Sequence, residues 1–206
     1  LVKFLKMEVR LNSMVQSTGL KKVKCSVFIS GTGSNLKSLI HFSKKKNSPI
    51  SIELIISDNA NAKGLKFGKI FKISNKVFNF KNRLIAEKKI ISEIKKKKIK
   101  LICLAGFMKI LSKSFIKNFK GKILNIHPSL LPKYKGLYTH KRAILNREKY
   151  SGCTVHFVSS RLDSGKIILQ KKIRISKFDT TKSLARKILI QEHKLYPEAI
   201  RKVISL

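Results

Sequence analysis

KVKCSVFISGTGSNLKSLIHFSKKK, residues 22–46, decides how the rest of this chain is read. KVKCSVFIS is a short β-rich run that ends at a glycine. NLKSLIHFSKKK then places Leu36, Leu39, Ile40 and Phe42 at helical spacing. A strand, a glycine turn and a helix make the opening half of a βαβ unit, and the pattern recurs downstream. SIELIIS (51–57) reads as a second strand, GLKFGKIFKI (64–73) as a helix and KVFNF (76–80) as a third strand. RLIAEKKIISEIKKKK (83–98) is an amphipathic helix. IKLICLAG (99–106) is apolar on both faces, as a central parallel strand is, and KILNIH (122–127) is a fifth strand. GCTVHFVSS (152–160) and KIILQKKIRI (166–175) read as a hairpin-like pair joined through LDSG, and a last helix fills about 180–204. The expectation is an α/β fold: a single domain over 23–206, with a doubly wound, mostly parallel sheet flanked by helices.

Composition bounds the function. The chain has 206 residues, 43% of them hydrophobic, enough for one self-sufficient core. Lys and Arg number 47 against 10 Asp and Glu, a formal charge of +37. Such a field suits nucleic acid or an anionic membrane and steers any anionic substrate inward. Lysine far outnumbers arginine, however, and arginine is the better bidentate phosphate reader. Runs such as EIKKKKIK (93–100) alternate with apolar residues, so the excess reads as compositional, without a specific nucleic-acid partner. Cys25, Cys103 and Cys153 lie far apart in apolar segments, which suits reduced thiols in a cytoplasmic protein. No run approaches the roughly 18 apolar residues of a membrane span. Residues 1–22 are basic and nearly free of acids, as a targeting segment is. Serine is sparse there and no cleavage signal stands out, so they read as a basic, poorly ordered N-terminal extension.

Three stretches carry chemistry. SGTGSNLKS (30–38) joins a strand to a helix, where glycines admit a ligand to the backbone and the helix start offers amide donors. Leu36 breaks both the dinucleotide fingerprint and the GxxxxGK[ST] loop. Two readings stay open: a site for one phosphate group, or a plain turn with Ser34 or Asn35 capping the helix. In KILNIHPSLLPKYKG (122–136), Asn125 and His127 project from one strand face, and Pro128 and Pro132 fix the exit. An amide beside an imidazole at a strand end can stabilise a developing oxyanion. Asp163, in RLDSG, has the surroundings of a turn residue. In a chain so poor in acids, its approach to His127 would favour the imidazolium. The five histidines lack metal-ligand spacing, and no GxSxG elbow is present; no metal is expected.

GTGSN, LAGFMKILS (104–112), NIHPSLLPKYKG, THKRAI (139–144), GCTVHFV, LDSGKIILQ and QEHKLYP (191–197) follow one another in the order of a known family. From about Val23 to about Ile200 the chain resembles phosphoribosylglycinamide formyltransferase. The resemblance implies formyl transfer from 10-formyltetrahydrofolate, a co-substrate, to the amine of glycinamide ribonucleotide in purine biosynthesis, by a monomer or homodimer. It implies that Gly31, Thr32, Gly33, Ser34, Asn35 and Glu192 hold the ribonucleotide. Arg83, Met108, Lys109, Ile110, Leu111 and Asn125 would lie along the folate. Asn125, His127 and Asp163 match the catalytic trio, with Asn125 donating to the oxyanion. Lys109, Lys135 and Tyr138 depart from the arginine, proline and histidine usual at those places. The rival among relatives is methionyl-tRNA formyltransferase, whose loop after SLLP typically reads RWRGA rather than KYKGL. From another class, a basic nucleic-acid-binding module explains the charge but not the ordered motifs.

Overall fold

The computed structural model describes residues 22–205; the expectation for the N-terminal extension lies outside them, Lys22 excepted. From Val23 the chain alternates as its apolar periodicity dictates. Strand β1 (Val23–Ile29) leads into helix α1 (Ser34–Ser43), then β2 (Ile50–Ser57), α2 (Lys66–Phe71) and β3 (Ser74–Val77). The chain returns through α3 (Arg83–Lys96) to β4 (Leu101–Leu104), α4 (Lys113–Asn118) and β5 (Lys122–His127). It finishes with α5 (Thr139–Leu145), β6 (Tyr150–Phe157), β7 (Ile167–Arg174) and the long α6 (Thr181–Ile204).

The seven strands of the described residues form one sheet, ordered β3-β2-β1-β4-β5-β6-β7. The first five are mutually parallel, while β6 runs antiparallel to both β5 and β7. Strand order therefore reverses between β1 and β4, and a crevice opens beyond their carboxyl ends, where doubly wound sheets bind ligands. Alternation along β1 sends Cys25, Val27 and Ile29 to one face, against Leu36, Ile188 and Tyr196 of α1 and α6. Phe28 goes to the other, with Leu54, Ile56, Ile90 and Phe115 beneath α3 and α4.

Local chemistry explains the element ends. Thr180 and Ser183 form a reciprocal capping box at the start of α6. Pro197 inside that helix has no N–H for the His193 carbonyl, and the Ser38 hydroxyl of α1 donates to it instead at 3.1 Å. The capping of α3 by Asn82 and of α4 by Ser112 follows the same rule. Three expectations need correction. The helix read over 64–73 is a 3₁₀ turn, Lys63–Leu65, followed by the six residues of α2, and it stops at Lys72 in left-handed backbone. The third strand lies at 74–77 rather than 76–80, because Phe80 opens a second 3₁₀ turn. Two short helices, α4 and α5, fall where no helix was read.

Candidate active site

At the crevice lies a cavity of about 1090 Å³. Its lining takes in the loop 31–35, the segment 104–111, Asn125, His127, Asp163 and Glu192. Of the residues expected at the site only Arg83 is not among the lining; it starts α3 on an exposed turn.

The first wall is the glycine loop. Gly33 sits at φ +74° as N-cap of α1, and no side chain caps that helix. The capped-turn reading of Ser34 and Asn35 is therefore not what folds. A Cβ on Gly33 would stand 2.7 Å from the Gly64 Cα, so glycine is required both by backbone sign and by packing. Asn35 turns inward, and its Nδ2 donates to Glu192 Oε2 at 2.8 Å, while its buried Oδ1 has no partner among the described residues. Leu184, Ile188 and Glu192 fall four apart on the buried face of α6, so this carboxylate enters the cavity from an apolar stripe. Burial pushes the Glu192 carboxyl up to about 6, against the Asn35 hydrogen bond.

That value carries a sign. Burial favours the protonated acid, so its contribution to stability is complete below the ordinary value of 4.5 and lost as pH rises through about 6. Glu192→Gln should therefore gain on the order of 2 kcal/mol above pH 7 and nothing near pH 4. Urea unfolding at both pH values checks this; an equal difference at both would mean that the carboxylate is not desolvated.

The opposite wall holds the trio. The loop after β5 is laced to the antiparallel strands: Thr154 Oγ1 donates to Ser129 O at 2.6 Å, and Gln170 Nε2 donates to Leu131 O at 2.8 Å. The loop then presents the Tyr134 carbonyl to His127 Nε2 at 2.9 Å. A carbonyl only accepts, so Nε2 carries the proton in the neutral ring and Nδ1 is the nitrogen left for exchange. Nδ1 faces Asp163 Oδ2 at 3.4 Å. Asp163 sits in left-handed backbone at φ +44°, a strained position for a side chain with a β-carbon. Its Oδ2 accepts from Gly136 N at 2.9 Å and its Oδ1 from Asn125 Nδ2 at 3.4 Å. His156 completes the group: its Nε2 lies 3.2 Å from Asn125 Nδ2 and 3.6 Å from Asp163 Oδ1.

Asp163 thus stands between two imidazoles and an amide. Burial opposes its ionisation, but the adjacent His156 ring, the Gly136 N–H bond and the nearby His127 hold its carboxyl below the ordinary value. For His127 the balance goes the other way. Burial lowers its pKa, and the Tyr134 carbonyl and the Asp163 charge raise it without overcoming burial. The expectation that Asp163 favours the imidazolium holds for its own contribution, while burial carries the net shift of His127 below the ordinary value. Sequence reasoning placed no weight on His156 or Gly136. The histidine in GCTVHFV offered no spacing rule, and a backbone amide leaves no trace in a sequence.

Residues 23–200 match the family described as formyl transferase. The chain is 42% identical over 181 residues to phosphoribosylglycinamide formyltransferase of Haemophilus influenzae, an overlap of 86% of this chain and 85% of that protein. It is 41% identical over 188 residues to the human trifunctional purine biosynthetic protein adenosine-3. That match takes in 90% of this chain but spans only 19% of the relative's length. The crystal structure of phosphoribosylglycinamide formyltransferase from Brucella melitensis superposes with a TM-score of 0.85 at 40% identity, covering 90% of this chain and 97% of that one.

Proposed function

Because the chain belongs to the phosphoribosylglycinamide formyltransferase family, we propose that it moves a formyl group from 10-formyltetrahydrofolate to the amine of glycinamide ribonucleotide. The observation that carries this reading is one cavity with two unlike walls: an uncapped glycine loop with a buried carboxylate, and an amide–imidazole–carboxylate group. The amides of Gly31, Thr32, Gly33, Ser34 and Asn35 receive the phosphate, and Glu192 with Asn35 receives hydrogen-bond donors of the same substrate. Met108, Lys109, Ile110 and Leu111 flank the folate.

The substrate amine attacks the formyl carbon and builds a tetrahedral centre with a negative oxygen. Asn125 donates to that oxygen; its bonds to His156 and Asp163 are long, so an oxyanion competes well for one of its protons. Neutral His127 takes the amine's surplus proton on Nδ1, Asp163 sustains the resulting imidazolium, and the proton passes to the departing folate nitrogen. Substrate amine, formyl carbon and leaving nitrogen balance without any further reactant. A reduced, cytoplasmic setting suits the three free, buried thiols. No helix of the described residues is long and apolar enough to cross a membrane.

An acceptor that keeps the glycinamide and ribose but lacks the phosphate tests the assignment of the loop. Losing charge-assisted hydrogen bonds worth about 1.5–3 kcal/mol each, it should show kcat/KM reduced at least about 100-fold. Equal kcat/KM for the two acceptors would remove the phosphate from this loop.

A further inference from the structure

Ser30, the residue after β1, lines the cavity but belongs to neither the loop nor the trio described above. It is bonded on every side. Its N–H donates to the Gly106 carbonyl at 3.0 Å, and its Oγ accepts the Met108 N–H at 2.8 Å. The same hydroxyl donates its proton to Asp58 Oδ1. Its carbonyl accepts from Asn59 Nδ2 at 3.3 Å. Asp58, whose side chain is 7% exposed, turns its second oxygen toward Lys109 Nζ at 3.8 Å. One residue further on, the Gly31 carbonyl accepts from Gly64 N at 3.0 Å.

A hydroxyl has one proton to give, and here the Asp58 carboxylate takes it, which leaves the oxygen's lone pairs aimed at the Met108 amide. The glycine loop begins at the next residue, and Met108 and Lys109 belong to the opposing segment. Ser30 and Asp58 therefore pin two ligand-bearing stretches to each other across the point where strand order reverses. Reaction between two bound molecules needs the attacking and attacked atoms about 3–3.5 Å apart, and a 1 Å error can cost about 10²-fold. We infer that Ser30, oriented by Asp58, is a positioning residue that sets the separation of the acceptor and donor subsites. The inference rests on the assignment of residues 31–35 to the ribonucleotide and of 108–111 to the folate.

The test uses the full chain and the variants Ser30→Ala, Ser30→Thr, Asp58→Ala and Asp58→Asn. Affinity for glycinamide ribonucleotide and for tetrahydrofolate is measured separately by calorimetry, and kcat at saturation of both substrates. Ser30→Ala and Asp58→Ala should lose about 10–100-fold in kcat. Each affinity should stay within about 3-fold of the unaltered chain, since a transition-state placement rather than uniform binding is lost. Ser30→Thr keeps the hydroxyl and Asp58→Asn keeps an acceptor for it, so both should recover most of kcat. Should an alanine variant fail to fold, these two still decide. The inference is overturned if Ser30→Ala keeps its kcat, if its loss appears only in KM, or if threonine and asparagine restore nothing to a folded chain. Failure of the underlying assignment looks different: the unaltered chain would then bind neither the ribonucleotide nor tetrahydrofolate.

Discussion

Asp163→Asn should lower kcat at neutral pH by about 10²–10⁴, the range for loss of a general acid–base contribution, with substrate binding largely kept. Asparagine keeps the shape and an acceptor for the Gly136 amide, which holds Asp163 Oδ2 at 2.9 Å. It removes the charge that faces His127 Nδ1 at 3.4 Å. That charge raises the pKa of an imidazole that burial already lowers, so its removal lowers the pKa further. The whole pH–rate profile should therefore move toward acid. His127→Asn should lose activity to a similar degree, and the double variant should lose little more, because the pair acts as one unit. Additive losses, or a pH profile that stays in place, would show that Asp163 does not work through His127.

Gly33→Val should weaken ribonucleotide binding by on the order of 100-fold while changing folate affinity far less. Two independent costs add. A β-branched side chain at φ +74° is strained, and its first carbon would lie 2.7 Å from the Gly64 Cα. Relief requires the loop to retreat from Gly64 and so to re-aim the amides at the start of α1. The His127 wall, carried by the far strands, shares none of these contacts. Calorimetry with each ligand alone separates the effects, and equal losses for both would end the assignment of this loop to one substrate.

What could be read along the chain followed how local each constraint was. Strands β1, β2, β4 and β5 are runs of apolar residues, and α3 and α6 keep a helical stripe over three turns or more, so burial wrote them into the sequence. Strand β3 is Ser-Asn-Lys-Val and wholly exposed at the sheet edge, so no alternation marked its limits. Helices α4 and α5 have six and seven residues, too short for a period to repeat. At the site, Asn125 and His127 were legible because proline chemistry follows them directly. The meeting of Asp163 with His127 is tertiary, made by the turn after β6 folding back onto β5, and only the scarcity of acids and the family pattern pointed there. Ser30 and Asp58 left no sign, since a serine after a strand and an aspartate after another meet only once both strands are paired.

On the function proposed above, this cavity formylates the amine of a phosphorylated ribose derivative. The most direct test supplies 10-formyltetrahydrofolate carrying a labelled formyl carbon, with glycinamide ribonucleotide and methionyl-tRNA offered in parallel at physiological salt. Label should appear in the ribonucleotide product, none on the tRNA, and almost none in either when Asp163→Asn replaces the unaltered chain. Label transferred to methionyl-tRNA in preference, or no label in glycinamide ribonucleotide, would contradict the proposed function.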